Sequence, residues 1–214
     1  MKPQAFIFDM DGVIVDSMPY HVRAWEVYLE RQGRDAQTLN ARMHGKHNDA
    51  LLRDVFGSEI NSDDIQRMGA EKEALYRELI EGELEASLVP GIREFLDDHS
   101  KMPKAVASNA EALNVNFVLE RAELGGYFLH ALNGQMVKYG KPHPEIYLKA
   151  AELLQKEPKD CIVFEDSQTG INAALAAGMR VVAINSHRTT LIGQAVEADH
   201  FLDTRLHKWL EELA

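Results

Sequence analysis

The sequence is poor in the features that build stapled, membrane-spanning or polyanion-binding proteins. It holds one cysteine, Cys161, in 214 residues. A single thiol excludes an internal disulfide framework and any multi-cysteine metal site. No apolar run approaches the roughly 18 residues that a membrane helix needs. The N-terminal run Ala5-Phe-Ile-Phe8 meets acid at Asp9, too soon for the core of a secretory signal. Positive charge is also scarce: 23 Lys and Arg stand against 34 Asp and Glu, a net charge of −11. The surplus is spread out, −5 over residues 17–86 and −6 over the rest, so no acidic tail explains it. Such a surface repels nucleic acid and anionic lipid, so neither is expected as a partner. Repeats and low-complexity tracts are absent too. With 45% hydrophobic and 27% charged residues, a globular chain is expected, located in the cytoplasm. At about 150 residues per domain, it makes one large domain or two small ones.

The pattern along the chain resolves that choice. Ala5–Phe8 has the continuous apolar character of a buried parallel strand and ends in Asp9-Met-Asp11-Gly12, where glycine permits a sharp turn. From about Tyr20 to Glu85 the periodicity is helical. Val22, Trp25, Val27 and Leu29 fall in one segment, Leu51, Leu52, Val55 and Phe56 in a second, and Ile65, Met68, Leu75, Leu79 and Ile80 in a third. Ser62-Asp-Asp-Ile65 opens the third with a helix cap. After Pro90-Gly91, short strands at 105–107, 161–164, 180–184 and 200–202 alternate with helices at 112–121, 145–154 and 170–177. Leu206, Trp209, Leu210 and Leu213 mark a closing amphipathic helix. Strand–helix alternation predicts a parallel sheet with helices on both faces. The expected fold is therefore an α/β, Rossmann-like core of residues 1–16 and 87–214, with an inserted all-α cap domain over 17–86.

Four clusters follow predicted strands, where ligands bind in open α/β sheets. Asp9 and Asp11 are two apart and point to one side. Two close carboxylates ionise together only beside a cation, and such a pair suits one nucleophile and one general acid/base. The same residues also make an ordinary solvated loop. Ser108-Asn109 offers a hydroxyl, an amide and backbone N–H groups to a phosphate, or simply caps a helix. Lys141, wedged between Gly140 and Pro142 in Gly140-Lys-Pro-His-Pro-Glu145, is a fixed cation or a turn lysine. Glu165-Asp166 adds two carboxylates, and four at one sheet edge call for compensation by Lys141 and a hard cation such as Mg²⁺.

Together, Phe8-Asp-Met-Asp-Gly-Val-Ile-Val-Asp16, Ser108-Asn109, Gly140–Glu145 and Phe164-Glu-Asp-Ser-Gln-Thr-Gly170 resemble the haloacid dehalogenase superfamily. Within it the whole chain is similar to the β-phosphoglucomutase-like phosphatases with a small helical cap. The resemblance implies roles. Asp9 is the nucleophile that forms an aspartyl phosphate, and Asp11 the general acid/base. Ser108 and Lys141, with Asn109, hold the phosphoryl group. Asp166 and the Asp11 backbone carbonyl bind Mg²⁺ beside Asp9, with Glu165 either a ligand or a support behind the ligands.

The cap selects the substrate. His21, before Arg23-Ala-Trp25, orients Asp11, touches substrate or serves as a hinge residue. In β-phosphoglucomutases a lysine precedes the glycine equivalent to Gly45, and an arginine three residues after it binds a second phosphate. Here His44 and Asn48 stand in those places, Lys46 is shifted by two, and Lys72 matches another cap lysine. His44, Lys46, His47 and Asn48 are expected to line the substrate side or to form an exposed polar loop. Losing a fixed arginine weakens bidentate phosphate recognition. The expected activity is thus hydrolysis of a small, sugar-like phosphomonoester, with a hexose-phosphate mutase as the alternative. A phosphonate hydrolase using Lys46 and a non-catalytic phosphosugar binder rank below both. A C–Cl dehalogenase needs neither Asp11 nor the Glu165-Asp166 pair. A zinc site at His44 and His47 lacks a third ligand nearby. The expected assembly is a monomer or a weak homodimer.

Overall fold

The structure, a computed structural model, describes residues 2–35 and 48–213. The chain divides into two compact units, Met1–Asp16 with Leu84–Ala214, and Ser17–Glu83. No helix among the described residues is long and apolar enough to cross a membrane.

The first unit is built on a six-stranded sheet in the order β3-β2-β1-β4-β5-β6. The strands are β1 Ala5–Phe8, β2 Lys104–Ala107, β3 His130–Leu132, β4 Cys161–Glu165, β5 Arg180–Ile184 and β6 Val196–Ala198, and every pair is parallel. This is the doubly wound order, in which the chain reverses direction across the sheet beside β1 and leaves a ligand crevice at the carboxyl ends there. Register brings the chemistry to one level. Phe8 lies opposite Val106 on one side and Phe164 on the other, so Asp9 is level with Ala107 and Glu165.

Strand alternation separates two faces. Ala5, Ile7, Ala105, Ala107, Cys161, Val163, Val181 and Ala183 point to a face packed by Ile146, Tyr147 and Ala150 of α6 (Glu145–Leu153) and Ile171 and Ala174 of α7 (Gln168–Ala176). Small side chains on these central strands let the helices approach closely. Phe6, Phe8 and Phe164 point to the other face. There they meet Phe95 of α4 (Ile92–Asp98), with Phe8 and Phe164 stacked at 4.6 Å. Asp9 continues the Ala5–Ile7 parity and Glu165 the Cys161–Val163 parity. Both acids therefore belong to the α6–α7 side.

Two strand expectations are corrected. Residues 200–202 form no strand; the edge strand is β6, paired Val182 to Val196. Phe201 is apolar because its ring packs on Phe8, Phe95 and Phe164, an aromatic core contact that mimics a strand signal. β3 carries a half-buried His130 and gave no strand signal; it exists as an edge because its backbone pairs with β2.

The second unit holds α1 Met18–Arg31, α2 Asn48–Phe56 and α3 Ser62–Ile80. Its interior faces are Ala24, Trp25, Tyr28 and Leu29 of α1, Leu51 and Leu52 of α2, and Ile65, Met68, Leu75, Tyr76 and Ile80 of α3. The cap of α3 is Asn61 rather than Ser62, its side-chain oxygen accepting the Asp64 N–H at 2.8 Å. An Asx side chain one residue earlier reaches the third helical N–H, the usual capping geometry.

Candidate active site

The site begins with the backbone. Asp9 extends β1 by one bond, its N–H donating to the Phe164 carbonyl at 2.9 Å. The chain then turns through Gly12, which has φ +75° and donates to the Val15 carbonyl. A Cβ at Gly12 would stand 2.0 Å from Oδ2 of Asp166. Glycine is thus required twice, for its left-handed backbone and for the close approach of the Asp166 carboxylate.

Lys141 is the central cation. It is 7% exposed, and its Nζ lies 2.8 Å from Asp9 Oδ1 and 2.7 Å from Glu165 Oε1. Its loop is held at both ends. Asn109 Oδ1 accepts the Lys141 N–H, and the Glu145 carboxylate accepts the N–H groups of Lys138 and Tyr139. Asn109 therefore positions Lys141. Ser108, 1% exposed, follows β2; its Oγ accepts from Ala110 N at 3.0 Å, which leaves the hydroxyl proton to donate.

Glu165 is fully buried and accepts five hydrogen bonds. Oε1 takes Lys141 Nζ and the Tyr147 hydroxyl; Oε2 takes the N–H groups of Asp166 and Ser167 and the Ser167 hydroxyl. Asp9, Glu165 and Asp166 each offer an oxygen within 4.8 Å of the others, the spacing of a metal cluster. The lone pairs of Glu165 are already committed, so Asp9 and Asp166 are the carboxylates of that group suited to a cation.

Electrostatics separates these acids. Burial pushes Asp9 up to about 7, against the pull of Lys141, and the charges of Glu165 and Asp11 add to the rise. Burial likewise raises Asp166 well above the usual carboxylate range, reinforced by Glu165 and Asp9. Burial also presses on Glu165, but the Lys141 charge and its hydrogen bonds outweigh it and hold Glu165 below its ordinary value. Lys141 stays protonated: burial works against it, and Asp9 and Glu165 together more than compensate. Without an added cation, then, one acid is satisfied and two are held partly against ionisation.

The sequence matches the haloacid dehalogenase-like hydrolase family over residues 3–178. This chain belongs to that family. It is 32% identical over 194 residues to hexitol phosphatase A of Escherichia coli, covering 89% of this chain and 87% of that one. It is also 32% identical over 183 residues to a fructose-1-phosphate phosphatase of the same organism, covering 83% and 94%. The crystal structure of β-phosphoglucomutase from Clostridium difficile superposes with a TM-score of 0.79 at 27% identity, covering 98% and 97% of the two chains.

In this hydrolase the helical unit gathers three of the expected cap residues around one that sequence reasoning missed, Glu73. Asn48 Nδ2 donates to Glu73 Oε1 at 2.6 Å, Lys72 Nζ donates to the same oxygen at 2.9 Å, and His21 Nδ1 is 2.8 Å from Lys72 Nζ. Lys72 is 2% exposed and faces the Trp25 ring at 5.5 Å, while His21 stacks on Tyr76 at 3.9 Å. Burial would raise Glu73, but the charges of Lys72 and His21 and the Asn48 bond bring it down to about 2. Lys72 and Asn48 are thus engaged with an internal carboxylate. His44, Lys46 and His47 lie outside the described residues. Two other residues escaped sequence reasoning. Tyr147 fell inside the expected helix at 145–154 and was not singled out, and Glu145 belonged to a quoted motif without a role.

Two outcomes follow from this geometry. Gly170 is the third residue of α7, and a Cβ there would lie 1.7 Å from Glu165 Oε1. In an open helix, alanine is better than glycine by about 0.5–1 kcal/mol. Here the clash with a pinned, buried carboxylate reverses the sign. Gly170→Ala is expected to lower the melting temperature, and an unchanged or higher value would show that Glu165 is not pinned. The second concerns pH. A folded state that raises Asp9 to about 7 keeps a proton the unfolded chain has released above its ordinary value of 3.8. Stability then falls as pH rises through that window. In metal-free protein the melting temperature of Asp9→Asn minus that of wild type is expected to grow from pH 5 to pH 8. A flat difference would contradict the raised Asp9.

Proposed function

We propose that this hydrolase is a Mg²⁺-dependent phosphatase acting on a small, sugar-like phosphomonoester through an aspartyl phosphate on Asp9. The observation that carries it is the Asp9 carboxylate held 2.8 Å from Lys141, beside Asp166, at the carboxyl edge of the sheet. That edge sets a nucleophile, a cation for the phosphoryl group and a second carboxylate for a metal side by side. The names of the relatives, which act on phosphorylated hexitols and fructose, support the substrate class.

In the first step an Asp9 oxygen bonds to phosphorus while the phosphorus–ester oxygen bond breaks, and Asp11 delivers its proton to the departing alkoxide. In the second step Asp11 takes a proton from water, whose oxygen bonds to phosphorus. The Asp9–phosphorus bond breaks, and inorganic phosphate leaves with both acids restored. Lys141 has three N–H donors; Asp9 and Glu165 take two, and the third serves a phosphoryl oxygen, as does the Ser108 hydroxyl. Phosphomonoester hydrolysis can require up to about 10²¹-fold acceleration, of which a general acid/base supplies only ~10²–10⁴. Positioning and charge neutralisation at the phosphoryl oxygens must supply most of the rest.

The donor set fits Mg²⁺. Asp9 and Asp166 would supply oxygens of the kind this ion takes in ones and twos, with the Asp11 backbone carbonyl as a further ligand on this reading; Gly12, the next residue, approaches the Asp166 carboxylate closely. Bound there, Mg²⁺ supplies positive charge to the transferring phosphoryl oxygens. Glu165 acts on this scheme through Lys141 rather than as a ligand.

A mutase is the second reading, favoured by the β-phosphoglucomutase likeness. A mutase must grip two phosphates. In this chain Asn48 stands where the mutases carry an arginine and donates to Glu73, and the Lys72 ammonium is likewise paired with Glu73. That engagement favours the phosphatase. Free phosphate released from a panel of phosphomonoesters, measured against isomer formation from β-glucose 1-phosphate with a bisphosphate primer, separates the two. Asp9→Asn is expected to abolish turnover while the protein stays folded, and retained activity would overturn the nucleophile. EDTA is expected to remove activity and Mg²⁺ to restore it; an EDTA-insensitive enzyme would overturn the metal requirement.

A further inference from the structure

Lys141 carries a demand that its carboxylate partners alone do not meet. Its ammonium must remain charged in a fully buried position and must stay where a phosphoryl oxygen can reach it. Two carboxylates compete for it, Asp9 on the substrate side and Glu165 behind, at 2.8 and 2.7 Å. If Glu165 carried its full charge on Oε1, it would draw the ammonium away from Asp9. Something has to divide the charge of Glu165 between several donors.

Tyr147 does this from α6. It is fully buried, and its hydroxyl donates to Glu165 Oε1 at 2.8 Å, the same oxygen that Lys141 contacts. Its ring also faces the ammonium, with Lys141 Nζ 4.9 Å from the ring centroid. A cation over an aromatic face is attracted by the negative face of the ring, and more strongly when both are out of water. One side chain therefore touches both members of the buried pair: the hydroxyl takes part of the carboxylate charge, and the ring seats the cation. The position is rigid. Tyr147 belongs to the packed layer of Ile7, Ala105, Ile146 and Ala150, so its hydroxyl cannot swing away.

We propose that Tyr147 is a positioning residue of the phosphohydrolase site, acting through Glu165 and its own ring to hold the Lys141 ammonium toward Asp9 and the transferring phosphoryl group. The inference rests on the phosphatase reading above. It distinguishes Tyr147 from a tyrosine that merely fills space, because the hydroxyl and the ring make separable contributions. Tyr147→Phe keeps the ring and the volume and removes the hydroxyl. Tyr147→Leu removes both. Phosphoryl charge is greatest in the transition state, so a displaced ammonium costs turnover more than substrate binding.

The test uses full-length enzyme with Mg²⁺. Tyr147→Phe is expected to lower kcat about tenfold, the scale of one hydrogen bond to a charged group, with KM changed less than about threefold. Tyr147→Leu is expected to lower kcat further. Tyr127→Phe is the control: it also loses a hydroxyl bond to a carboxylate, Asp97 at 2.6 Å, but outside the site, and it should retain wild-type kcat. Calorimetric binding of orthovanadate, which needs no turnover, should weaken by a similar tenfold factor in Tyr147→Phe. Wild-type kcat and vanadate affinity in a folded Tyr147→Phe would overturn the inference and leave the phosphatase reading intact. So would a rise in KM with kcat unchanged. Wild-type enzyme that neither hydrolyses any phosphomonoester nor binds vanadate would overturn both.

Discussion

The ion pair between Lys141 and Glu165 is the constraint on which the rest of the site depends. A carboxylate with no exposure to water is stable only if its lone pairs are filled, and Glu165 accepts five hydrogen bonds. Breaking such a pair by removing one partner typically costs 3–5 kcal/mol, because a bare charge is left in the interior. That cost explains the local sequence. Ser167 supplies both an N–H and a hydroxyl to Glu165, and its hydroxyl also caps α7 through the Gly170 N–H. Gly170 is bare because the carboxylate occupies the volume where its Cβ would be. The end of β4, the start of α7 and the Lys141 loop are thereby one electrostatic unit.

The sheet explains why that unit meets Asp9. Parallel strands buried on both faces have no polar side chains along their length, so charge collects at their ends. Matching register between β1 and β4 brings Asp9 and Glu165 to the same end and, through strand parity, to the same face. The opposite face is aromatic, with Phe6, Phe8, Phe95, Phe164 and Phe201 in mutual contact. The two faces differ in character because one has to admit helices closely enough for Tyr147 to reach Glu165. Alanines and valines permit that approach where phenylalanines would not.

Much of this was legible in the sequence, and the boundary of legibility has a physical cause. Asp9, Asp11 and Asp166 stand out because they are charged residues just past strand ends; Lys141 stands out because it is wedged between Gly140 and Pro142, although it lies in the loop before α6 and not directly after a strand. Glu165 was visible as an acid, yet its part in holding Lys141 depends on donors from α6 and from a loop 24 residues earlier. Tyr147 was hidden by its own apolar ring, which satisfies helix periodicity while the hydroxyl does something else. Phe201 misled for the reverse reason: it is buried like a strand residue without pairing as one. In the helical unit Lys72 looked like a substrate-facing cation. Its neighbour Glu73 decides where its charge goes, and adjacent residues on a helix are poor guides to shared contacts because i and i+1 do not face each other.

The acidic balance of the whole chain sharpens what the site has to do. Asp9, Asp11, Glu165 and Asp166 bring four negative charges, and Lys141 returns one. Burial holds Asp9 and Asp166 above their ordinary values, and the neighbouring carboxylates add to both rises. A phosphomonoester dianion would enter that field only if it were first offset. On the proposed scheme, a divalent cation and a proton on Asp11 do so: three ionised carboxylates stand against Lys141 and Mg²⁺, and the sum is zero before substrate arrives. The proton on Asp11 is the one the leaving group needs. Charge neutrality for binding and acid catalysis for the first step thus demand the same protonation state, so the condition that admits the phosphate also arms the acid.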